Sequence, residues 1–496
     1  MLKRVRIILT VLLLLATVGV DAQVTTASMA GKVTDASNEP IIGATVQAVH
    51  QPSGSRYGTV TNVDGRYSIQ GMRTGGPYRV EISYIGYQTV IYKDITLQLG
   101  EVYNLNVEMS ESSELLNEVI VTAAKTKFTA EKTGATTNIS SAQMTQLPTV
   151  NRSISDIARL SPYANGMSFA GGDGRSTNFT IDGANFNNNF GLSSNLPGGG
   201  NPISMDAIEE VQVVVAPFDV RQTNFIGGGI NAITKSGTNT FRGTAYTYYR
   251  NQDMRGNRIN GEDLGARSDE SKTTYGFTLG GPIIKNKLFF FVNYEKEKTP
   301  GEVIKYRARE DGEDAKGMVS RTLKSDMEKV YNHLKDKYGY DAGSYTNFPA
   351  DEENTKLLAR IDWNITDRHR LSLRYNNTKN TAWNAPNGNS SDTGYRLNNT
   401  YRVGTQSMAF ANSMYSMDNK VQSWAADLNS RFTDKISNQL LFTYTNIEDM
   451  RGTNSSPFPF IDIMAGKDEN GNQILEPYMS CLLYTSPSPR DTERSR

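Results

Sequence analysis

Residues 356–376 read KLLARIDWNITDRHRLSLRYN, and the order of apolar and polar residues on either side of Ile365-Thr366-Asp367-Arg368 decides the fold. Before the turn, Leu357, Ala359, Ile361 and Trp363 share one face of an extended chain, with Lys356, Arg360, Asp362 and Asn364 largely on the other. After it, Leu371, Leu373 and Tyr375 oppose Arg370, Ser372, Arg374 and Asn376. Successive side chains of a strand point to opposite faces, so this is a hairpin with one greasy face and one wet face. The pattern returns in Trp424, Ala426 and Leu428 against Ser423, Asp427, Asn429 and Arg431. It returns again in Ile436, Leu440, Phe442 and Tyr444 against Ser437, Gln439, Thr443 and Thr445.

Period two does not by itself place a strand in lipid, because a soluble sandwich alternates in the same way. Connection lengths separate the two cases. Strands near 273–280 and 287–296 are joined through Gly281 to Asn286, and strands near 422–432 and 436–446 through Thr433-Asp434-Lys435. Between such hairpins lie polar connections of roughly 20, 60 and 40 residues, far beyond the 12 to 15 usual in compact soluble domains. Short turns at one end and long loops at the other are the arrangement of an outer-membrane barrel.

Composition agrees. The 496 residues carry 52 Lys plus Arg against 52 Asp plus Glu, so no global field favours nucleic acid. A mean hydropathy of −0.49 excludes a bundle of membrane-spanning helices but not a barrel, whose strands are only half apolar. His50, His333 and His369 lie far apart and Cys481 is the single cysteine, so no zinc set and no cofactor site can be drawn. His50 reads as a solvated loop residue. Leu323, Met327, Val330, Tyr331, Leu334 and Tyr338 recur at helical spacing inside the second long connection and predict one amphipathic helix there.

Upstream, residues 124–240 read as a compact α/β unit. Ser141 is the expected N-cap of a short helix ending at Pro148, and Ser153 that of another in which Ile154, Ile157, Ala158 and Leu160 share a face. Asn178 to Gly183 form a strand and turn, and Ile208 to Val215 a buried strand. The glycine runs at 171–174, 198–200 and 227–229 fit neither the phosphate loop nor the dinucleotide fingerprint. They suit backbone that passes close to a wall where no side chain fits. Residues 27–109 show about seven short strands with turns at Ser37 to Pro40, Pro52 to Gly54 and Asp64-Gly65, the last a hairpin signal, and so predict a small β-sandwich. Lys3, Arg4 and Arg6 followed by an apolar run to Val20 predict a secretory signal peptide over 1–22.

Several strings carry a family resemblance. GKVTDASNEPIIGATV (31–46), TNVDGRYSI (61–69) and VEISYIGYQT (80–89) resemble the carboxypeptidase regulatory-like domain that precedes many outer-membrane receptors. FTIDGANFNN (179–188), MDAIEEVQVV (205–214) and RQTNFIGGGINAITKSGTNTFRG (221–243) resemble the plug of TonB-dependent receptors. GFTLGGPIIKNKLFFFVNYEKEK (276–298) and ARIDWNITDRHRLSLRYN (359–376) resemble the Oar-like branch of that family.

The resemblance implies a mainly β chain. An Ig- or transthyretin-like sandwich occupies 27–109, a linker with the coupling segment 110–123, an α/β plug 124–240, and the first part of a transmembrane antiparallel barrel 241–480. That part holds about seven strands of an expected set of about 22. Residues 481–496, CLLYTSPSPRDTERSR, break with what precedes them and read as translated adaptor sequence, so the native chain is expected to be cut off near Ser480 with open barrel edges.

By the same resemblance Glu118, Val119, Ile120, Val121, Thr122 and Ala123 are the TonB box, although composition alone favours reading this β-branched run as an ordinary strand of the next domain. The plug motif is Ile181, Asp182, Gly183, Gly227, Gly228, Gly229, Asn231, Thr234 and Lys235. The implied partners are the TonB energy-transducing complex, the barrel assembly machinery, outer-membrane lipid and a surface substrate-binding lipoprotein, with no nucleic acid. The implied place is the outer membrane of a Gram-negative bacterium, the sandwich and TonB box being periplasmic. Two functions fit: energised import of a bulky nutrient (glycan, peptide or chelate) without covalent chemistry, or a surface structural protein or adhesin on the same scaffold. No arranged nucleophile supports an enzyme.

Overall fold

The computed structural model describes residues 24–481 except 112–118, 123–134, 148, 150–151, 189–195, 216–221, 223–226, 255, 257, 264–270, 301–305, 347, 349–350, 386–401, 434–435, 460, 468–469 and 472–476. The expected signal peptide, Glu118, Ala123 and most of the expected foreign tail lie outside the described residues.

The N-terminal unit is built from β1 (Ala27–Asp35), β2 (Thr45–His50), β3 (Ser55–Val60), β4 (Arg66–Met72), β5 (Gly75–Ser83), β6 (Val90–Leu97), β7 (Val102–Asn104) and β8 (Val107–Met109). One sheet has the order β4-β1-β7, with β8 also on β1. The other runs β3-β2-β5-β6 and ends on β9 (Val119–Thr122). Alternate residues of each strand, such as Val46 and Ala48 or Tyr78, Val80 and Ile82, fill the space between the sheets. Two expectations change here. Asp64-Gly65 does make a tight turn, with Gly65 at φ 70, but β3 and β4 lie in different sheets, so it is a crossover and not a hairpin. The reason is that Val33 N–H donates to the Gly65 carbonyl at 2.8 Å, which pulls β4 onto β1. His50 is not solvated: it ends β2 at 6% exposure, its Nδ1 2.7 Å from Ser53 Oγ and its ring 5.0 Å from that of Tyr78.

The second unit is a five-stranded sheet whose order is β10 (Ala135–Ser140), Ile208–Val215, Gly228–Thr234, Asn178–Ile181 and Ala184–Asn185. Its helices are short. Ser140, not Ser141, caps the helix Ser141–Gln146, through a capping box with Gln143. Ser153 caps Ile154–Ala158 as expected, burying Ile154, Ile157 and Ala158. The helix stops before Leu160, which is 39% exposed and does not join that face.

Seven long antiparallel strands follow, each paired with its neighbours in sequence: Arg242–Asn251, Ser271–Ile284, Leu288–Thr299, Glu352–Asn364, His369–Asn384, Tyr415–Arg431 and Ser437–Gly452. The first and seventh each have one neighbour, so the sheet is open among the described residues. Its two faces are inverted relative to a soluble protein. Ile361, Trp363, Leu373, Trp424, Phe442 and Tyr444 face outward and are exposed, while Asp362, Arg374, Asn376 and Ser423 lie on the other face and are buried. Leu358, Phe291 and Val421 are apolar residues on the inner face, and each packs into the core of that unit.

The long connections at the far end fold together. The helix Lys324–Tyr338 appears where the spacing predicts it, burying Met327 and Leu334 against Met408, Phe410, Met414 and Met479. Leu323 precedes the helix and Tyr338 is exposed, so the two ends of the predicted stripe stay outside this core.

Candidate functional site: the contact of the second unit, the seven-stranded sheet and the sandwich

Asp182 follows the strand Asn178–Ile181 at φ 46, with Gly183 next at φ 78, so the chain reverses tightly and turns the carboxylate back toward Thr234. Thr234 donates from N to Oδ1 at 2.9 Å and from Oγ1 to Oδ2 at 2.6 Å. Two arginines of the barrel wall converge on this point. Arg360 Nη1 lies 3.4 Å from Asp182 Oδ1 and donates to the Thr234 carbonyl at 3.0 Å. Arg374 Nε lies 3.7 Å from Asp182 Oδ2 and its Nη1 donates to the Ile181 carbonyl at 2.7 Å. The other side of the Arg360 guanidinium forks onto Asp362 at 3.0 and 2.9 Å. Asp362 also accepts from Ser372 Oγ at 2.6 Å and faces Arg73 of the sandwich at 3.5 Å. One run of alternating charge therefore joins all three units.

A second buried contact lies higher on the wall. Glu295 and Lys356, on neighbouring barrel strands, pair at 2.8 Å with side chains 4% and 1% exposed. Ser204 and Tyr246 donate to the remaining Glu295 oxygen at 2.8 and 2.9 Å, which satisfies the carboxylate. Such a pair tolerates burial only when its other lone pairs are used, as they are here. Beside it the Gly198 to Pro202 turn presses on the wall. Asn354 donates to the Gly198 carbonyl at 3.0 Å, and Thr378 to that of Pro202 at 2.7 Å. A Cβ on Gly198 would lie 2.9 Å from Thr378, and one on Gly199 would overlap Asn380.

The expected reason for glycine thus holds at 198–199. It fails at 227–229: Gly227 takes φ 99 and Gly228 lies against the ring of Phe169, a residue of the same unit, while Gly229 pairs within the sheet. Among the other residues of the predicted motif, Ile181 is buried and lends its carbonyl to Arg374. Asn231 turns away from the wall, donating to Gln212 at 3.2 Å and accepting from Thr180 at 2.9 Å. Lys235 lines a cavity of about 400 Å³ shared by the three units, whose wall also carries Arg73, Arg242, Arg370, Glu209 and Asp427.

The sandwich closes this end. Leu99 N–H donates to Glu210 Oε1 at 3.0 Å, where Asn138 Nδ2 also donates at 3.0 Å, and Gln212 donates to the Leu99 carbonyl at 2.6 Å. Burial pushes the Glu210 carboxyl up to about 7, offset in part by those two donors. Arg370 stacks 3.8 Å over Tyr57, and Thr25 donates to Asp427 at 2.7 Å. Of the expected TonB box, Val119 to Thr122 form β9, paired parallel to Val90 to Lys93 of the sandwich.

Sequence reasoning did not single out Arg360, Arg374, Glu295 and Lys356. The available signal was the alternation itself, which set these charges on the wet face.

Residues 28–110 match the carboxypeptidase regulatory-like domain family, and residues 233–303 an outer membrane β-barrel domain family. The TonB-dependent transporter Oar of Myxococcus xanthus is 25% identical over 376 residues, 70% of this chain and 33% of that protein. The chain therefore spans about a third of the length of the curated relative it matches. Among solved structures, the outer membrane transporter YddB from Escherichia coli aligns with TM-score 0.44 at 16% identity, over 64% of this chain and 39% of that one. The siderophore receptor PirA from Pseudomonas aeruginosa aligns with TM-score 0.40 at 15% identity, over 65% and 42%. The chain combines a carboxypeptidase regulatory-like domain with an outer-membrane β-barrel domain and is homologous to the TonB-dependent transporter Oar.

Proposed function

We propose that the chain serves TonB-dependent import of a bulky nutrient (glycan, peptide or chelate) across the outer membrane of a Gram-negative bacterium. In this reading the seven strands stand in lipid, residues 124–240 plug the lumen, and the sandwich and the coupling segment Glu118 to Ala123 face the periplasm. The observation that carries it is the inverted sheet: its exposed face is apolar, and its buried face meets the plug through ion pairs and hydrogen bonds, with Phe291, Leu358 and Val421 as apolar contacts between them. A polar seam of that kind can exchange its partners for water when the plug is remodelled, whereas an apolar seam cannot. The working partners are the TonB complex, the barrel assembly machinery and lipid, with a surface lipoprotein as a further candidate for substrate delivery. The plug residues Asp182, Gly183 and Thr234 hold the closed state, and the substrate meets the outer loops first.

The adhesin reading is favoured by one observation, the packed outer assembly around Met408 and Phe410, which offers a built surface above the membrane. Proline at Ile120 separates the two. It removes one N–H donor from a backbone-paired strand and fixes φ, whereas valine keeps β geometry. Outer membranes carrying the receptor are expected to retain a purified periplasmic domain of TonB when residue 120 is Ile or Val, and to lose it with Ile120→Pro. Equal retention by all three, or by none, removes the transport reading.

A further inference from the structure

The coupling segment does not stand free in the described structure. It is the fifth strand of a sandwich sheet, β9, and the pairing is parallel and in register: Val90 with Val119, Ile91 with Ile120, Tyr92 with Val121 and Lys93 with Thr122.

The acceptor strand is shaped for this length. β6 pairs regularly with β5 from Val90 to Tyr92, then its register breaks and Asp94 takes φ 62 before pairing resumes at Ile95. A bulge of this kind ends a usable edge, since it turns the backbone groups away from the line of the ladder. What remains before the bulge is Val90 to Lys93, and β9 covers those residues one for one.

The chain also returns to the place it left. Ser110 accepts from Gln88 N at 2.9 Å and Glu111 bridges to Tyr87, next to the start of β6. The stretch that ends at Val119 is therefore anchored at both ends on one short piece of sheet. A tether that short keeps a strand at an effective concentration on the order of millimolar.

We propose that the edge Val90 to Lys93 of the sandwich is a docking strand for Val119 to Thr122, and that an incoming edge strand of TonB captures this segment only after displacing it from β6. This rests on the reading of Val119 to Thr122 as the coupling segment. Docking uses the same kind of contact that capture uses, a backbone ladder, so the two compete for one set of N–H and C=O groups. The docked ladder is short and parallel, the weaker of the two strand arrangements, which keeps it exchangeable. A periplasmic module with no catalytic group thereby acquires a role, holding the segment extended and shielding its backbone. Only the undocked fraction binds, so the apparent affinity for the partner is lowered by that fraction.

The test uses the whole receptor in isolated outer membranes, with any native cysteine replaced by serine. Lys93→Cys with Thr122→Cys pairs two residues that face each other in the ladder, and Lys93→Cys with Val119→Cys is the out-of-register control. Mild oxidation should cross-link the first pair about fivefold or more above the control, with no TonB present. Equal yields overturn the docking. The oxidised pair should then lose capture of the periplasmic domain of TonB, and reduction should restore it to the level of the single variants. Undiminished capture by the oxidised receptor, which means addition to the outer edge of β9, overturns the competition. A receptor that cross-links in register yet captures no TonB even when reduced counts against the transport reading and leaves the docking standing.

Discussion

Arg360 sits between two carboxylates of different units, with Asp182 of the plug 3.4 Å from one side of its guanidinium and Asp362 of its own strand 2.9 Å from the other. Arg374, 3.7 Å from the same Asp182, has a buried Nε without a hydrogen-bond partner among the described residues. Asp182 is therefore the charge that lets two arginines share one buried place. Asp182→Asn keeps the shape and leaves Arg360 and Arg374 facing a neutral group. The expected cost is about 3 kcal/mol, that of breaking a buried pair from one side. Limited proteolysis of the plug against urea, compared between wild type and Asp182→Asn in outer-membrane preparations, should show release at clearly lower urea. An unchanged midpoint would mean that Thr234 and the backbone hold the turn without the charge.

The contact between Glu210 and Leu99 should depend on pH. Burial raises the Glu210 carboxyl to about 7 in the folded protein, above its ordinary 4.5. A raised acid is stabilising while protonated, so the contribution is complete below about 4.5 and is lost as pH rises through about 7. The slope is at most about 1.4 kcal/mol per pH unit. Glu210→Gln keeps an acceptor for Leu99 N and Asn138 and removes the titration. Thermal unfolding of wild type should weaken relative to Glu210→Gln between pH 5 and about 8; parallel curves would contradict the assignment.

His50 has the opposite sign. Its ring is held down to about 3 by burial first and by the nearby Arg73 second. Its contribution is complete above the ordinary 6.5 and is lost as pH falls toward about 3. The fragment 23–110 should fold without metal, since its core is apolar and its one histidine bonds to Ser53. Circular dichroism of this fragment should be indifferent to chelator and should show stability falling below about pH 6.5, with His50→Gln flattening the fall. A chelator-dependent loss of structure would sink the metal-free reading.

The barrel sheet was the most legible part of the chain. Trp363 and Asp362 alternate in sequence because one lies on the exposed apolar face and the other on the buried face beside Arg360 and Arg73, and a two-residue period survives any loop length. The sandwich was legible as strands but not as sheets. Asp64-Gly65 carries a hairpin signal, and only the contact of Gly65 with Val33 shows that the chain changes sheet there. His50 misled for a related reason, since a polar residue beside a turn looks exposed until Tyr78 is brought over it from another strand. The ionic contacts were hidden by distance: Arg360 and Asp182 are 178 residues apart, and nothing local to either marks the other. Likewise the run Val119 to Thr122 reads as a strand, but its acceptor on β6 follows only from the bulge at Asp94 and the return of the chain past Tyr87.

The last prediction tests the orientation on which the functional reading depends. Leu373 lies on the fifth barrel strand with 43% exposure, opposite Ile361 on one neighbour and Ala426 on the other. Arg374, the next residue, is buried against the plug, so the two side chains sample the two faces of one strand. If the exposed face meets lipid, Leu373→Arg places a charge in hydrocarbon at a cost of about 2–4 kcal/mol near the midplane, falling toward the interface. If that face met water instead, the change would cost almost nothing, as surface substitutions do. Leu373→Phe keeps the apolar surface and serves as the control. In the whole gene, heat-modifiable migration and protease resistance of the membrane-inserted protein should drop with Leu373→Arg and persist with Leu373→Phe. Equal insertion of both variants would mean that the apolar face is turned away from lipid, and transport through this sheet could not be sustained.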